Sequence, residues 1–264
     1  MEFSIIGGDK RNIYLKELLE QDKHIVKLHG FGDKDNAGLD EALENNIIIG
    51  GLPFSHEGKL FAPFGTTYEA NRILTSLREG QLLIAGGINH PNSVDLLKNE
   101  VFVQNNALPT AEGIVELAIS QTEHTLTASN IMIIGYGRIG AISAKILTAM
   151  GAIVWVVEND ITLYTKAVTM GYRSIMYGNI NKYLSKMDII INTPPENTLT
   201  KENLIYIEKS TLIMDVSSPP YGVCKELEGS LKVIRPRALP GKVAPRSAAK
   251  YIRDAVYRLM EHRF

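Results

Sequence analysis

The chain alternates short, almost wholly apolar runs with longer stretches of helical periodicity. Consecutive apolar residues are typical of strands that are buried on both faces of a parallel sheet. Helix-length stretches fall between them, so the pattern predicts an α/β fold with two doubly wound parallel-sheet domains. The runs form two series: 3–6, 24–28, 47–49, 82–85 and 101–103, then 131–134, 153–157, 174–176, 189–191, 212–215 and 233–235.

The two series predict two domains joined by one helix. Pro109 and Thr110 are residue types favoured at helix starts, and they mark the beginning of the connecting helix. Near the end of the chain, apolar residues recur on one helical face: Ala248, Ile252, Ala255 and Leu259. The predicted parts are a flavodoxin-like substrate domain (1–108), a bridging helix (109–128), a Rossmann dinucleotide-binding domain (129–245) and a C-terminal helix (246–264) packing on the first domain. We expect a ligand-binding cleft between the domains.

Composition and charge exclude several classes of protein. The chain has 264 residues, of which 45% are hydrophobic, and its formal net charge is −1. Such a chain is not disordered, and it lacks a basic field that would attract nucleic acid or an anionic membrane. The single cysteine, Cys224, fits a reducing compartment. Neither a secretory signal nor a bilayer-spanning run is present, so we expect a cytoplasmic protein with no nucleic-acid or membrane partner.

The strongest local signal is a glycine-rich turn between a predicted strand and a predicted helix. It reads Gly135-Tyr136-Gly137-Arg138-Ile139-Gly140, the G-x-G-x-x-G pattern of dinucleotide-binding folds. The first glycine permits the tight turn, the second lets the backbone approach a pyrophosphate, and the third packs the helix on the strand. The helix N-terminus then offers free N–H groups and a partial positive charge to the phosphates. The segment therefore predicts a nicotinamide dinucleotide site.

An acidic residue at the end of the next strand bears on the choice between NAD and NADP. Glu158 lies 23 residues after Gly135, close to the roughly 20 expected for the residue that binds the ribose. A carboxylate accepts hydrogen bonds from the ribose hydroxyls of NAD and repels the 2′-phosphate of NADP. The sequence therefore favours NAD and leaves NADP as the alternative cofactor.

Two later strands end in polar turns at the edge where open α/β sheets bind ligands. These residues are expected beside the nicotinamide half of the cofactor, although turn chemistry alone is an alternative explanation for them. They are Asn192, Thr193 and Pro194 after one strand, and Asp215, Val216 and Ser217 after the next.

Two loops carry residues suited to an anionic substrate. The first predicted βα turn contains Gly8, Asp9, Lys10 and Arg11, and the segment before the final helix contains Pro240, Gly241 and Lys242. Arg11 and Lys242 are candidate partners of substrate carboxylates. The alternatives are an Asp9 helix cap with solvated basic residues in the first loop, and an ordinary connection in the second.

Histidine is absent from the second half of the chain until its end. The histidines are His24, His29, His56, His90, His124 and His262, so the Rossmann half offers no histidine acid or base. Their spacing with the single cysteine matches no zinc-ligand pattern, and we expect no metal.

Five segments in this order resemble the A subunit family of dipicolinate synthases over essentially the whole chain. They are Gly7-Gly8-Asp9-Lys10-Arg11, Leu108-Pro109-Thr110-Ala111-Glu112-Gly113, the Gly135–Gly140 turn, Ile191-Asn192-Thr193, and Leu239-Pro240-Gly241-Lys242-Val243-Ala244-Pro245. The resemblance implies NAD(P)-dependent oxidation of a dihydrodipicolinate-type ring to pyridine-2,6-dicarboxylate. It also implies the B subunit of dipicolinate synthase as a partner, a mother cell of a sporulating bacterium, and a fold like that of D-2-hydroxyacid dehydrogenases. A homo-oligomer is a further possible assembly.

Within that resemblance, roles can be assigned to individual residues. Arg11 and Lys242 are expected to hold the substrate carboxylates, Thr110 to lie beside the substrate, and Glu112 to act as acid or base. A carboxylate favoured by the helix dipole in a first turn is the alternative explanation for Glu112.

The loop at 215–222 departs from the family pattern, because it lacks the arginine that the resemblance leads us to expect there. If that arginine holds a carboxylate, either Arg237 or Lys242 takes its place or the substrate differs. A non-catalytic NAD-binding regulatory subunit therefore stays open as an alternative. A D-2-hydroxyacid dehydrogenase-like enzyme stays open as well, because it shares the predicted architecture.

Overall fold

The computed structural model describes residues 1–261 of the chain. It divides into two compact units. Unit 1 comprises Met1–Asn106 together with the chain from Pro240 onward, and unit 2 comprises Ala107–Leu239. Residues 262–264 of the predicted C-terminal helix lie outside the described residues.

Unit 1 is built on a five-stranded parallel sheet of order β2-β1-β3-β6-β7. This is the flavodoxin-like order, in which the direction of winding reverses between the first and third strands. A small antiparallel hairpin, β4-β5, lies outside that sheet. The elements up to residue 95 are β1 (Glu2–Ile6), α1 (Lys10–Gln21), β2 (Ile25–His29), α2 (Leu39–Ala42), β3 (Ile47–Gly50), β4 (Ser55–His56), β5 (Lys59–Leu60), α3 (Ala70–Thr75), β6 (Leu82–Ala85) and β7 (Ser93–Asp95).

Unit 2 contains a six-stranded parallel sheet of order β10-β9-β8-β11-β12-β13. This is the Rossmann order, and winding reverses between β8 and β11. From residue 100 onward, the elements of the chain are α4 (Glu100–Ser120), β8 (Asn130–Ile134), α5 (Arg138–Ala149), β9 (Ile153–Val157), α6 (Ile161–Thr169), β10 (Arg173–Ile175), β11 (Ile189–Asn192), β12 (Leu212–Asp215), β13 (Lys232–Ile234), α7 (Leu239–Val243) and α8 (Pro245–Glu261), of which α8 belongs to unit 1. The predicted fold class, two doubly wound parallel sheets with a C-terminal helix, is confirmed.

Each sheet is buried on both faces, as the uninterrupted apolar runs require. In unit 1, Ile252 and Val256 of α8 share a buried cluster with Leu15 and Leu19 of α1. The last helix thus completes the core of the unit that contains the start of the chain.

The bounds predicted for the connecting helix, 109–128, are wrong. The observed helix, α4, begins at Glu100 and ends at Ser120, so Pro109 lies inside it. The run at 101–103, predicted as a strand, is its first turn, and the Asn99 side chain accepts a hydrogen bond from Phe102 N at 2.9 Å. Burial of Phe102, Ala107, Ala111, Ile114 and Ala118 at helical spacing outweighs the cost of the proline.

The segment expected as a loop before the final helix is also helical. Leu239–Val243 forms the short helix α7, and α8 follows from Pro245. Unit 2 ends at Leu239, so Pro240, Gly241 and Lys242 belong to unit 1. Within residues 1–261, no helix combines the length and the apolar character that crossing a membrane requires.

Candidate dinucleotide and substrate sites

The glycine turn of unit 2 connects β8 to α5 at the carboxyl edge of the sheet. Gly135 has φ 88°, and a Cβ there would lie 2.5 Å from Thr193 Oγ1. A Cβ on Gly140 would collide with the carbonyl oxygen of Gly135 and lie 3.4 Å from Ile133 Cγ2. Both glycines are therefore required by close packing. Gly137 differs, because nothing lies within 4 Å of the position of its Cβ.

The space above Gly137 faces the uncapped start of a helix. Gly137 is the N-cap of α5, which has 12 residues, and no side chain makes a capping hydrogen bond there. The first backbone N–H groups of α5 and the positive end of its dipole are thus left for a ligand. Arg138 is exposed and Ile139 half-buried beside this opening. This combination fits the pyrophosphate of a dinucleotide.

Tyr136 contributes its backbone and not its ring to the turn. The ring is buried and meets Tyr172 edge-on at 5.7 Å between centroids. Burial raises the pKa of the Tyr136 phenol above its usual value. The side chain is therefore part of the core beneath the turn.

Glu158 is fixed at the end of β9 by three backbone amides. Its Oε2 accepts from Tyr136 N at 2.8 Å, and its Oε1 accepts from Asn159 N at 2.7 Å and Asp160 N at 3.0 Å. These bonds tie the carboxylate to the glycine turn and set its orientation before any ligand binds. A carboxylate at this place fits the ribose of a dinucleotide.

The polar residues after β11 and β12 form one buried network. Asn192 donates from Nδ2 to Asp215 Oδ1 at 2.9 Å, and its Oδ1 accepts from Thr198 Oγ1 at 2.6 Å. Asp215 also accepts from Ser217 Oγ at 2.6 Å and Val223 N at 3.0 Å. Asn192 and Asp215 are 0% exposed, so their side chains stabilise the two loops from the protein interior.

The half-buried residues of those loops remain at the edge of the sheet. Pro194 and Val216 are half-buried, and the Thr193 hydroxyl donates to Ile134 O at 3.0 Å. Of the six residues predicted beside the nicotinamide half, Thr193, Pro194 and Val216 therefore stay accessible to a cofactor. The turn-chemistry explanation describes what Asn192, Asp215 and Ser217 do in this structure.

Two arginines beyond β13 reach the same loops. Arg235 forms an ion pair with Glu228, donates to Val223 O at 2.6 Å and lies 3.6 Å from Asp215 Oδ2. Arg237 is exposed and donates from Nη2 to Tyr221 Oη at 2.8 Å. Sequence reasoning missed Arg235 and Tyr221, and it reached Arg237 only through the family resemblance. No local pattern marks these residues, because their bonds join segments that the fold brings together.

In unit 1, Arg11 is engaged by the protein itself. Its Nε and Nη2 donate to the two carboxylate oxygens of Asp9 at 2.9 and 2.8 Å, and Nη2 also donates to Leu52 O at 2.5 Å. Arg11 is 3% exposed. The expectation that Arg11 is either a free anchor or a solvated residue is corrected, because its charge is neutralised by a buried carboxylate. Asp9 also caps α1 by accepting from Arg11 N, as predicted.

The segment with Pro240 and Gly241 packs directly on that ion pair. A Cβ on Gly241 would lie 2.8 Å from the carboxylate carbon of Asp9. Lys10 follows Asp9 and Lys242 follows Gly241, and both lysines are exposed. In the described part of the chain, neither lysine side chain makes an ion pair. Because Asp9 and Gly241 are in contact, the two lysines follow neighbouring positions of the backbone.

Loops close the place in unit 1 where winding reverses. Gly8 follows β1 and Gly51 follows β3, and a Cβ on Gly51 would lie 2.9 Å from Gly8 Cα. A Cβ on Gly7 would lie 2.9 Å from Phe61 O. The loops after β1 and β3 are therefore in direct contact beside this reversal.

Thr110 and Glu112 lie in the middle of α4, within unit 2. Thr110 is half-buried, and Glu112 is exposed. Because α4 begins at Glu100, the explanation of Glu112 as a first-turn carboxylate is wrong. Residues 1–261 contain no group of three or more His, Cys, Asp or Glu side chains that could hold a metal ion.

Comparisons with known proteins first define the class. Residues 105–212 match the family model described as "D-isomer specific 2-hydroxyacid dehydrogenase, NAD binding domain". The fold also resembles a transhydrogenase from Sinorhizobium meliloti (TM-score 0.69, 13% identity, 98% of this chain and 94% of that one). It resembles an L-alanine dehydrogenase as well (TM-score 0.64, 13% identity, 98% and 89%). Residues 105–212 are thus similar to the NAD-binding domains of dehydrogenases, which supports a nicotinamide cofactor and an oxidoreductase.

The particular relatives are dipicolinate synthase A subunits. Residues 2–100 match the family model for the N-terminal domain of these A subunits. The chain is 25% identical to the dipicolinate synthase A subunit of Bacillus subtilis (strain 168), over 98% of this chain and 96% of that one. The crystal structure of the Bacillus halodurans A subunit has a TM-score of 0.88 at 25% identity, covering 98% of this chain and 97% of that one. The resemblance inferred from the motifs is confirmed.

Proposed function

We propose that this chain is a nicotinamide-dependent oxidoreductase that oxidises a dihydrodipicolinate-type ring to pyridine-2,6-dicarboxylate. The observation that carries the proposal is the open space at Gly137, joined to an uncapped helix start and a fixed Glu158. It occurs in a chain that resembles a dipicolinate synthase A subunit over 98% of its length. The names of those relatives support the choice of substrate.

The geometry of unit 2 supports one set of residues for holding the cofactor. The backbone of Gly135–Gly140 and the start of α5 would bind the pyrophosphate, and Glu158 would accept the ribose hydroxyls. The loops with Thr193, Pro194 and Val216 would lie beside the nicotinamide half. NAD is favoured over NADP, because Asp160 follows Glu158 and would also repel a 2′-phosphate.

The chemistry asks little of an acid or base. When bound, the nicotinamide would accept a hydride from one ring carbon of the substrate. The ring also gives up one proton, and it becomes aromatic, which favours the oxidation. A weak proton acceptor therefore suffices, and Glu112, an exposed carboxylate on α4, is our candidate for that role.

The substrate carboxylates require cations, and unit 1 offers two. Arg11 neutralises Asp9, so Lys10 and Lys242 keep their charge for an incoming anion. Arg11 is then a positioning residue that holds Asp9 against Gly241. Gly8, Pro240 and Gly241 are buried and would support the lysines from within unit 1, because Asn12 lies against Gly8 and Asp9 lies against Gly241. Thr110, in unit 2, stays a candidate substrate neighbour on the strength of the family resemblance.

The relatives' names also support a partner, since each relative is named as one subunit of a synthase. We propose that this chain works with the B subunit of a dipicolinate synthase in the cytoplasm of a sporulating mother cell, as a single copy or as a homo-oligomer. A D-2-hydroxyacid dehydrogenase-like activity is a second candidate, favoured by the family model that matches residues 105–212. Against it, the sequence has no histidine between His124 and His262 to serve as the usual base.

Turnover of the purified chain tests the proposal. We would supply NAD or NADP with freshly generated cyclic precursor of the dihydropyridine ring, with and without the B subunit, and follow nicotinamide and pyridine absorbance together. Both bands should grow, faster with NAD. If both absorbance bands grow only when the B subunit is present, the active enzyme is the complex of the two subunits. NAD binding without reduction under any combination would refute the oxidoreductase and favour a regulatory role, and reduction with a D-2-hydroxy acid alone would favour the second candidate.

A further inference from the structure

A cavity in unit 1 has no role in the proposed function. Its volume is about 330 Å³, and it is lined by the edge strand β7, by the loop before that strand and by the segment after it. At the roughly 30 Å³ that each water occupies in the liquid, this volume holds about ten non-hydrogen atoms, which suits a small molecule. The wall has both apolar and polar side chains: Ile88 and Val94, and His90, Asp95, Lys98 and Asn99.

The loop before β7 fixes which ring nitrogen of His90 carries the proton. Ser93 Oγ donates to His90 O at 2.8 Å, and Asn92 N donates to His90 Nδ1 at 3.2 Å. A neutral imidazole has one donor and one acceptor nitrogen, so the proton of His90 is on Nε2. Within residues 1–261, this Nε2 makes no hydrogen bond. His90 therefore offers an N–H donor to a ligand in the cavity.

The carboxylate of Asp95, the last residue of β7, is held by one of its two oxygens. Oδ1 accepts from Gly87 N at 2.8 Å and from Leu97 N at 2.9 Å. In the part of the chain that the structure describes, Oδ2 has neither a hydrogen-bond donor nor a cationic partner. Asp95 is half-buried, so this carboxylate is a fixed negative group with one oxygen left to accept from a ligand.

Two further donors lie on the segment after β7. Lys98 is exposed, and across residues 1–261 its side chain makes neither an ion pair nor a hydrogen bond. Asn99 is half-buried, and its Oδ1 accepts from Phe102 N at 2.9 Å, which leaves its Nδ2 as a donor. An ammonium group together with N–H donors is the set of groups that binds a carboxylate.

The charges of the wall decide which ligand complements the cavity. Asp95 and Lys98 are the charged residues of its described lining, so its formal charge is zero. No ion pair joins these two side chains, and each keeps its charge for a ligand. A simple carboxylic acid would meet the Asp95 carboxylate, and a simple amine would meet the Lys98 ammonium group. A molecule that carries both charges pairs with both residues.

We propose that this cavity binds a small zwitterion, an α-amino acid with an apolar side chain. Asp95 Oδ2 accepts from its ammonium group, and Lys98 and His90 Nε2 donate to its carboxylate. Its side chain packs on Ile88 and Val94, which supply the apolar part of the wall. The inference concerns unit 1 by itself and does not depend on the dinucleotide site or on the proposed reaction.

Titration of the full-length chain with L-leucine and L-valine, followed by calorimetry and amide NMR, tests this inference. Both amino acids should bind with a Kd of about 1 mM or tighter. They should shift the amide signals of Gly87 and Leu97, because these amides donate to Asp95. Two analogues of L-leucine each lack one charge: 4-methylpentanoate lacks the ammonium group, and 3-methylbutylamine lacks the carboxylate. Each should bind about tenfold more weakly than L-leucine.

Two variants should affect the analogues in opposite ways. Asp95→Asn keeps an Oδ1 for the two backbone amides, and it should weaken L-leucine about tenfold while leaving 4-methylpentanoate no weaker. Lys98→Gln should weaken both L-leucine and 4-methylpentanoate by about tenfold and leave 3-methylbutylamine no weaker. A loss of packing alone would weaken all three ligands together.

Lys34 provides a matched control, because it is an exposed lysine of the same unit that lies outside the cavity lining. Lys34→Gln should leave L-leucine binding unchanged. Failure of the wild-type chain to bind either amino acid would overturn the inference, as would equal weakening of L-leucine and both analogues by Asp95→Asn. NADH binding should be the same in all these variants, so either failure would leave the proposed function standing.

Discussion

The two units have the same kind of parallel sheet, and in each a glycine-rich turn follows the strand that comes first in the sequence, yet the two turns differ at the helix start. In unit 1, the Asp9 carboxylate caps α1, and the Asn12 side chain and the loop at Gly51 lie against Gly8. In unit 2, Gly137 caps α5 with no side chain, and the space beside it is open. Of these two turns, that of unit 2 leaves its helix start open to a ligand, and that of unit 1 does not.

The same contrast separates the charged groups. The buried carboxylate of unit 1, Asp9, is neutralised by Arg11, which leaves exposed lysines beside it. The carboxylate at the glycine turn of unit 2, Glu158, is held only by backbone amides. Unit 1 is thus suited to small anions at its surface, and unit 2 to a ligand with phosphates and ribose hydroxyls.

The largest expected effect is on the stability of unit 1. Arg11→Met leaves Asp9 buried without a counter-ion, since the two side chains are 4% and 11% exposed, and it should lower the free energy of unfolding by about 3–5 kcal/mol. Urea denaturation measures this. Arg246→Met is the control, because its pair with Glu17 is largely exposed and should contribute less than about 1 kcal/mol. Equal losses for the two variants would show that the Asp9–Arg11 pair does not organise unit 1.

A smaller effect, confined to ligand binding, is expected in unit 2. Glu158→Ser removes the carboxylate that favours NAD, and it should weaken NADH by about tenfold while strengthening NADPH relative to NADH. Nicotinamide fluorescence titrations measure both ligands. Glu116→Ser, at an exposed position of α4, is the control. An unchanged ratio of NADH to NADPH affinity would remove Glu158 from cofactor choice.

The smallest expected effect is the loss of stability when one hydrogen bond of α8 in unit 1 is removed. Tyr257 of α8 donates to Asp22 Oδ2 at 2.8 Å, and Tyr257→Phe should cost about 1 kcal/mol of stability. Burial, followed by the hydrogen bond to Asp22, raises the pKa of this phenol above its ordinary value of 10. A raised pKa stabilises the fold below pH 10, and that contribution is lost as the pH rises further. The stability difference between wild type and variant should therefore shrink above pH 10. A difference that grows there would contradict this assignment.

The sequence predicted most of the fold because burial on both faces of a strand leaves a direct signature. The runs at 131–134 and 189–191 lie within β8 and β11, and the G-x-G-x-x-G turn lies between β8 and α5. The start of α4 was missed, because Val101-Phe102-Val103 favours a strand locally and only tertiary burial makes it helical.

The candidate site was less predictable than the fold. Sequence spacing indicated Asp9, Arg11, Asn192 and Asp215 as polar residues near strand ends. It did not show that each of them hydrogen-bonds to another group within the protein. Asp9 and Arg11 pair with each other although they are 2 residues apart, and only the fold brings Leu52, which is 41 residues from Arg11, to accept a further hydrogen bond from it. Asn192 and Asp215 are 23 residues apart and meet on neighbouring strands. The pairing of Tyr221 with Arg237 has no local signal for the same reason.

One pair of variants tests the contrast between the two turns most directly. Gly137→Ala adds a methyl group where nothing lies within 4 Å, so it should keep the melting temperature while weakening NADH at least tenfold by obstructing the phosphates. Gly8→Ala places a side chain at φ 107° against Asn12, so it should lower the stability of the protein by about 3 kcal/mol. NADH binding by folded Gly8→Ala should match wild type. Wild-type NADH affinity in Gly137→Ala, or selective loss of NADH binding in folded Gly8→Ala, would contradict the assignment of the dinucleotide to unit 2.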